Sequence, residues 1–220
     1  MKFGKRELTP KPARGLITVS RKMLRLTDAD ATVREEFGAL FGQEEEKAFL
    51  NGTGAGQPFG LMTESDYGLP SSRNYATGNT GTLVKFDGLI GAVYHIKLQY
   101  RKDAEWLFPR VVMSQVRKEK DGSGQYLWGN SVALGQPDTI LNYPVSETEY
   151  ITFAGAAPAT GELAGLFGNL NQYMICDGLE MEVQVLQEVF WETDEIGFKF
   201  SVEIDGQVRD PNAFARVKMG

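Results

Sequence analysis

The sequence predicts an α+β fold, and three observations carry that prediction. Residues 27–62, TDADATVREEFGALFGQEEEKAFLNGTGAGQPFGLM, read as one long helix that stops in a glycine-rich turn. Residues 83–175 alternate helical with extended signals, the mark of a mixed layer of helix and sheet. Residues from about 178 to 210 alternate apolar with polar side chains, the period of a half-buried strand.

Taken in order, residues 1–19 look extended. Pro10 and Pro12 break any helix there, and residues 15–19 (GLITV) have strand propensity. Such a segment buries little alone; its partner strand is either later in the chain or missing. In the long helix, Asp28 or Thr27 serves as N-cap, accepting the unpaired amides of the first turn. Val33, Phe37, Leu40, Phe41, Ala48 and Phe49 recur at spacings of three and four, with glutamates between them. At 1.5 Å per residue the helix is ~30 Å long. Asn51 and Gly52 suit the left-handed conformation that ends a helix, and Pro58 cannot resume it.

Residues 64–82, rich in Gly, Ser, Asn and Thr, read as a long exposed loop. A second helix follows, with Asp87 as N-cap, Leu89, Ile90, Val93, Tyr94 and Lys97 at helical spacing, and an end near Tyr100. Residues 105–108 (EWLF) read as a buried strand, 111–116 as a short element after Pro109, and 118–124 as a polar turn. Leu179, Met181, Val183 and Val185 alternate with polar residues, and so do Phe198, Phe200, Val202 and Ile204. Asp205-Gly206 is placed in a tight hairpin turn, and residues 210–214 (DPNAF) in a short capped segment.

Composition narrows the function. The chain has 220 residues, 42% hydrophobic and 24% charged, enough for a substantial core. A net charge of −6 argues against broad electrostatic binding of nucleic acid or anionic membrane. The basic residues of the first 25 positions, Lys5, Arg6, Lys11 and Arg14 among them, read as a solvated or partner-facing arm. The single cysteine, Cys176, rules out an intrachain disulfide, fits an intracellular origin, and reads as a small buried hydrophobe. No apolar run reaches membrane-spanning length.

Reactive chemistry is hard to assemble from these residues. His95 is the only histidine, so general-base catalysis, a Cys–His pair or a multi-histidine metal site would all run through it. Residues 52–56 (GTGAG) follow a helix C-terminus, the end that repels anions, and no Gly-Lys-Ser/Thr accompanies them. Gly52, Gly54, Gly56, Pro58 and Gly60 therefore read as a structural turn. No catalytic, cofactor or metal site is expected.

Several motifs, in order, resemble the major capsid proteins of tailed bacteriophages, the Hong Kong 97-type coat fold. ITVSRKML at 17–24 is similar to that family's return from its extended loop into the helix. EEEKAFLNGTGAGQPFGL at 44–61 resembles its helix end and glycine turn, the most specific of the matches. KDGSGQYLWG at 120–129, LNYPV at 141–145, LFGNLNQYMICD at 166–177 and DGQVRDPNAFARVKM at 205–219 follow in the family's order.

The resemblance implies a non-enzymatic shell protein. Residues 1–19 would be a remnant of the extended loop, and 28–50 the spine helix. Residues 20–82 with 176–220 would be the peripheral domain, and 83–175 the apical domain. Pentamers and hexamers would tile an icosahedral phage or prophage head around double-stranded DNA, touched non-specifically at most, in a virion assembled in a bacterial cytoplasm. Lys5, Arg6, Lys11 and Arg14 would make inter-subunit contacts. The family's chains carry an arm and a first loop strand before this point, so the resemblance also implies a truncated chain that stays monomeric or assembles poorly. Some members cross-link a loop lysine to an asparagine; Lys5 or Lys11 matches the lysine, but Asp194, Glu195 and Ile196 stand where the asparagine belongs. Two alternatives remain: an encapsulin-type compartment shell that loads enzyme cargo, and a small hydrolase using His95 with Asp87 or Asp177.

Overall fold

The structure, a computed structural model, describes residues 7–26, 29–126 and 139–220, less the side chains of residues 26, 29, 30, 179 and 180. The proposed caps Thr27 and Asp28, the arm residues Lys5 and Arg6, and the LWG of the 120–129 motif lie outside the described residues, as do the side chains of Leu179 and Glu180. The elements in chain order are β1 (Lys11–Ser20), α1 (Arg21–Leu26), α2 (Ala29–Asn51), β2 (Asn74–Tyr75), α3 (Phe86–His95), α4 (Leu98–Arg101), β3 (Glu105–Phe108), α5 (Arg110–Arg117), β4 (Thr139–Ile140), β5 (Tyr143–Glu147), β6 (Leu163–Gly168), β7 (Tyr173–Leu186), β8 (Glu195–Val208) and β9 (Phe214–Lys218). The fold is α+β. It divides into two compact units, Met1–Gly60 with Ile175–Gln207 and Leu61–Met174 with Val208–Gly220. Residues 61–82 and 208–220 thus cluster with the helix-and-sheet unit, where the motif order had grouped them with the long helix.

In the first unit, β1 pairs antiparallel with β8 over ten residues, from Lys11 opposite Ile204 to Ser20 opposite Glu195. Of the two options for the unpartnered strand, the later-in-chain partner is the one observed. β7 completes the sheet in the order β1-β8-β7. Alternation along β1 turns Ala13, Gly15, Ile17 and Val19 inward and Arg14, Leu16 and Thr18 to solvent. The inward face meets α2 at Phe37, whose ring stacks on Phe200 at 3.5 Å between centroids and on Phe41 at 5.9 Å. Val33, Leu24, Val183 and Ile196 surround that stack. α2 therefore buries one narrow stripe at i, i+4 spacing. Leu40, expected on that stripe, is exposed.

The second unit is a six-stranded mixed sheet, β2-β9-β6-β3-β5-β4. β2 runs parallel to β9 and β3 to β5, and the other pairs are antiparallel. Its core joins Leu89, Ala92 and Val93 of α3 and Val112 and Val116 of α5 to Trp106, Phe108 and Phe167 of the sheet. The Trp106 indole N–H donates to the Ile140 carbonyl at 3.1 Å, so the largest core side chain leaves no polar atom unpaired.

Several sequence expectations are corrected here. Asp205-Gly206 is not a hairpin turn: β8 runs straight through it, because the Asp205 carboxylate takes the Thr9 amide at 2.8 Å and the Gly206 amide at 2.9 Å. Asp87 does not cap α3. Lys85 holds the cap position, and the Phe86 amide donates instead to a Glu119 carboxylate oxygen at 3.0 Å. That helix ends at His95 rather than near Tyr100; Ile96 is extended, and the Arg101 guanidinium caps the freed carbonyls of Ile96 at 3.0 Å and Tyr94 at 3.3 Å. Residues 64–82 are not an open loop. Leu69 is fully buried there, and β2 joins the sheet edge. Residues 111–116 lie in helix α5. Cys176 is half-buried on β7 rather than buried.

Candidate functional site

The glycine turn after α2 is the most constrained backbone of the first unit. The Gly52 amide closes the helix on the Ala48 carbonyl at 2.8 Å, and the Gly60 amide returns to the Gly52 carbonyl at 2.8 Å. A Cβ on Gly52 would lie 2.2 Å from the Pro58 carbonyl oxygen, and one on Gly60 would lie 2.4 Å from that of Leu50. Close approach, then, is what excludes a side chain at both ends of the turn. The left-handed residues are Gly54 (φ 83°) and Gly56 (φ 71°), not Asn51 or Gly52 as expected, because α2 continues regularly through Asn51. Pro58 is buried, and its carbonyl accepts the Gly54 amide at 3.2 Å.

Lys11 locks this turn to the sheet. Its Nζ donates to the carbonyls of Gly54 (2.8 Å) and Gln57 (2.7 Å), sits 3.6 Å from the Asp205 carboxylate, and lies 5.3 Å from the Phe59 ring centroid. The Phe59 amide donates to the Gly206 carbonyl at 2.9 Å, a second tie to β8. Lys11 is thus occupied within its own chain, whereas Arg14, on the opposite face of β1, points to solvent. Beside the turn, a cleft of about 180 Å³ runs between β1 and α2 past Phe41, Glu45 and Pro58. Partial burial, with the charge of Asp177 adding to it, raises the Glu45 pKa above the ordinary carboxylate value.

In the second unit the organising polar residue is one that sequence reasoning passed over. Arg216, in the middle of β9, is fully buried. Its guanidinium donates to Asn74 Oδ1 (2.7 Å) and to the carbonyls of Met62 and Pro70 (3.1 Å each), with Glu64 3.8 Å away. Burial lowers its pKa, and Glu64 opposes that shift. The fork draws residues 62–74 onto the sheet edge, which is why that polar stretch is packed. An arginine inside the apolar run FARV was the sequence signal. Near the end of β8, Asp210 caps the turn Pro211–Ala213 through the Asn212 amide (2.8 Å) and accepts the Tyr100 hydroxyl (2.5 Å). Burial works to raise the Asp210 pKa, but the bonds from Tyr100 and Asn212 and the charge of Lys97 outweigh it, and the net shift is downward.

His95 is half-buried at the end of α3. Its Nε2 lies 3.1 Å from the Ser72 carbonyl, and its ring tilts against Tyr75 at 5.7 Å. Asp87 is at the other end of the same helix, about 12 Å away along the axis, and Asp177 stands on β7 of the first unit. The structure therefore does not place Asp87 beside the imidazole. Among the described residues no group of three or more His, Cys, Asp or Glu side chains is arranged to hold a metal ion, and no helix is long and apolar enough to cross a membrane.

Comparison with known proteins places this geometry. The profile of the phage capsid family matches residues 1–219. Among solved structures, the capsid of an empty GTA particle computed with C5 symmetry superposes with a TM-score of 0.82 at 24% identity, over 97% of this chain and 74% of that one. Microbacterium phage Oxtober96 matches at 0.70 and 14% identity, over 97% and 73%. The holo-SrpI encapsulin complex of Synechococcus elongatus PCC 7942 matches at 0.69 and 11%, over 95% and 73%. A search of curated proteins finds no match.

Proposed function

Since this chain belongs to the phage capsid family, we propose that its copies assemble as pentamers and hexamers into an icosahedral head that encloses double-stranded DNA. The chain is a structural coat protein, and the family match over residues 1–219 is the observation that carries the reading. The GTA capsid, which shares this fold, was computed with C5 symmetry, in keeping with fivefold rings of this chain. α2 supplies a rigid strut, and Lys11 locks the turn that ends it. With a net charge of −6, any contact with packaged DNA is local and non-specific. Assembly takes place in the bacterial cytoplasm, and the mature location is the virion.

The compartment-shell alternative rests on a looser superposition, 0.69 against 0.82, and so the phage-head reading is preferred. His95 donates to a carbonyl of its own unit, which suits a structural role better than a hydrolytic one. Negative-stain electron microscopy of the purified protein over a range of salt and crowding agent tests the reading. Rings or closed particles are expected; soluble monomers under every condition would refute it.

A further inference from the structure

Around the turn Pro211–Ala213 the second unit gathers three cations that it does not neutralise. Arg209 immediately precedes the capping Asp210, and its amide donates to the Gln172 carbonyl at 2.7 Å, which fixes the strand end that carries it. Arg73 reaches the same turn from a segment far earlier in the chain, donating through its guanidinium to the Asn212 side-chain oxygen. Lys97 holds the cap position of α4, the helix whose Tyr100 hydroxyl donates to Asp210 at 2.5 Å. Lys97 and Arg209 are exposed, and Arg73 is half-buried. Among the described residues none of the three has a carboxylate within ion-pair distance, whereas Lys85 pairs with Glu119 and Arg110 with Glu149.

The acids of the same elements do not cancel that charge. Asp210 is spent on neutral donors: the Tyr100 hydroxyl, and the Asn212 main-chain and side-chain amides at 2.8 and 2.9 Å. Burial works to raise the Asp210 pKa, and the charge of Lys97 is among the effects that lower it, so the ammonium lies close to the turn. Glu64, on the segment that Arg73 ends, is engaged with Asn74 at 2.7 Å and Arg216 at 3.8 Å. Asp66 and Asp103, exposed on the flanking segments, are offset by Arg101 and Lys102. The corner is therefore positive on balance. Acidic and basic residues are equal in number across the second unit, so the net charge of −6 falls on the first. A free phosphate would need a pocket to enclose it, and Lys97 and Arg209 stand in solvent. An extended polyanion meets all three cations without one, and a duplex carries a charge every ~1.7 Å of its axis. The planar forks of two arginines suit phosphate oxygens in particular. We infer that this corner holds backbone phosphates of duplex DNA, with Arg73, Lys97 and Arg209 each neutralising one.

The contact rests on the coat-protein reading only for its setting, a head that encloses the duplex. Fluorescence anisotropy of a labelled duplex, titrated with the whole chain at several salt concentrations, tests it. For three phosphates, log K should fall against log salt with a slope of about −2.7. Lys97→Gln and Arg209→Gln should each take about 0.9 off that slope and weaken binding about eightfold at about 0.1 M salt. Lys97→Arg should bind as the wild type does. Lys118→Gln serves as the control: it removes an exposed cation next to Glu119, which bonds the first amide of α3, about 15 Å of helix from Lys97. That variant should leave the slope unchanged. All four side chains are changed in solvent, and an unaltered Tm checks that the fold is intact. No binding, slopes unmoved by Lys97→Gln and Arg209→Gln, or an equal loss in Lys118→Gln would overturn the inference. So would displacement by millimolar inorganic phosphate, the mark of a free-anion pocket, or by polyglutamate as readily as by unlabelled duplex, the mark of an acidic protein partner. Closed particles from a chain whose variants bind DNA unchanged would leave the coat reading standing and remove this contact. Binding lost in the variants, without particles under any condition, would do the reverse.

Discussion

Replacing Arg216 by methionine is the sharpest test of how the second unit is held together. The guanidinium is fully buried and donates to Asn74 Oδ1 at 2.7 Å and to the Met62 and Pro70 carbonyls at 3.1 Å. Methionine fills most of the volume but donates nothing, so three acceptors are stranded next to the sheet edge. An unsatisfied buried acceptor costs about 1–3 kcal/mol, and removing one member of a buried charged cluster costs about 3–5 kcal/mol. Relief of guanidinium desolvation offsets part of this, which leaves a net loss of about 3 kcal/mol. For a chain of this length that lowers Tm by about 6–12 °C. Arg216→Lys keeps the charge but not the planar fork, and should recover at most about half of the loss. Calorimetry gives the magnitude, and hydrogen exchange gives the location: protection should fall first at residues 61–75, including the Arg73 amide bonded to the Pro70 carbonyl. A Tm within about 2 °C of wild type and unchanged exchange in that segment would refute the reasoning.

Four further outcomes are expected. Gly52→Ala should destabilise by about 3 kcal/mol, since its Cβ would press on two backbone carbonyl oxygens at 2.2 and 2.4 Å; Gly38→Ala, in open space on α2, should stabilise by about 0.5–1 kcal/mol, both read by denaturant melts. Phe200→Ala should cost about 3–5 kcal/mol by emptying the stack on Phe37, measured the same way. Asp210 has a folded pKa below its ordinary 3.8, so its contribution is present above that value and lost as pH falls through the folded pKa. The Tm difference between wild type and Asp210→Asn should therefore be constant near neutrality and shrink below about pH 4; a difference independent of pH down to the acid limit would show that the carboxylate does not stabilise the fold.

How far the chain could be read in advance depended on the range of the forces involved. α2 was legible because its stripe Val33-Phe37-Phe41 repeats within a few residues, and the glycine turn because breakers act on their own backbone. The motif order, too, pointed to the coat fold, since it is a property of the chain as written. The errors fall where a distant partner intervenes. Asp205-Gly206 has the composition of a turn, yet Thr9 and Lys11, far earlier in the chain, bond the Asp205 carboxylate and keep β8 extended. Asp87 would cap α3 in isolation, but Glu119 reaches the first-turn amide from another element. Residues 64–82 have a loop's composition and are packed by an arginine more than a hundred residues away.

By itself, the sequence determined the α+β class, the long helix with its sharp stop, and membership of a family of shell proteins. Only the tertiary structure decided the fate of the polar residues: Lys11 turned into its own subunit and Arg216 buried under a folded-back loop. Apolar periodicity is local and can be counted along the chain. A buried charge is tolerable only beside partners that the fold brings from elsewhere, so its place is known when the chain has closed around it. The glycine turn joins both sides of that division. Its breakers are written in the sequence, but the carbonyls it offers to Lys11 acquire their purpose only when β1 pairs with β8.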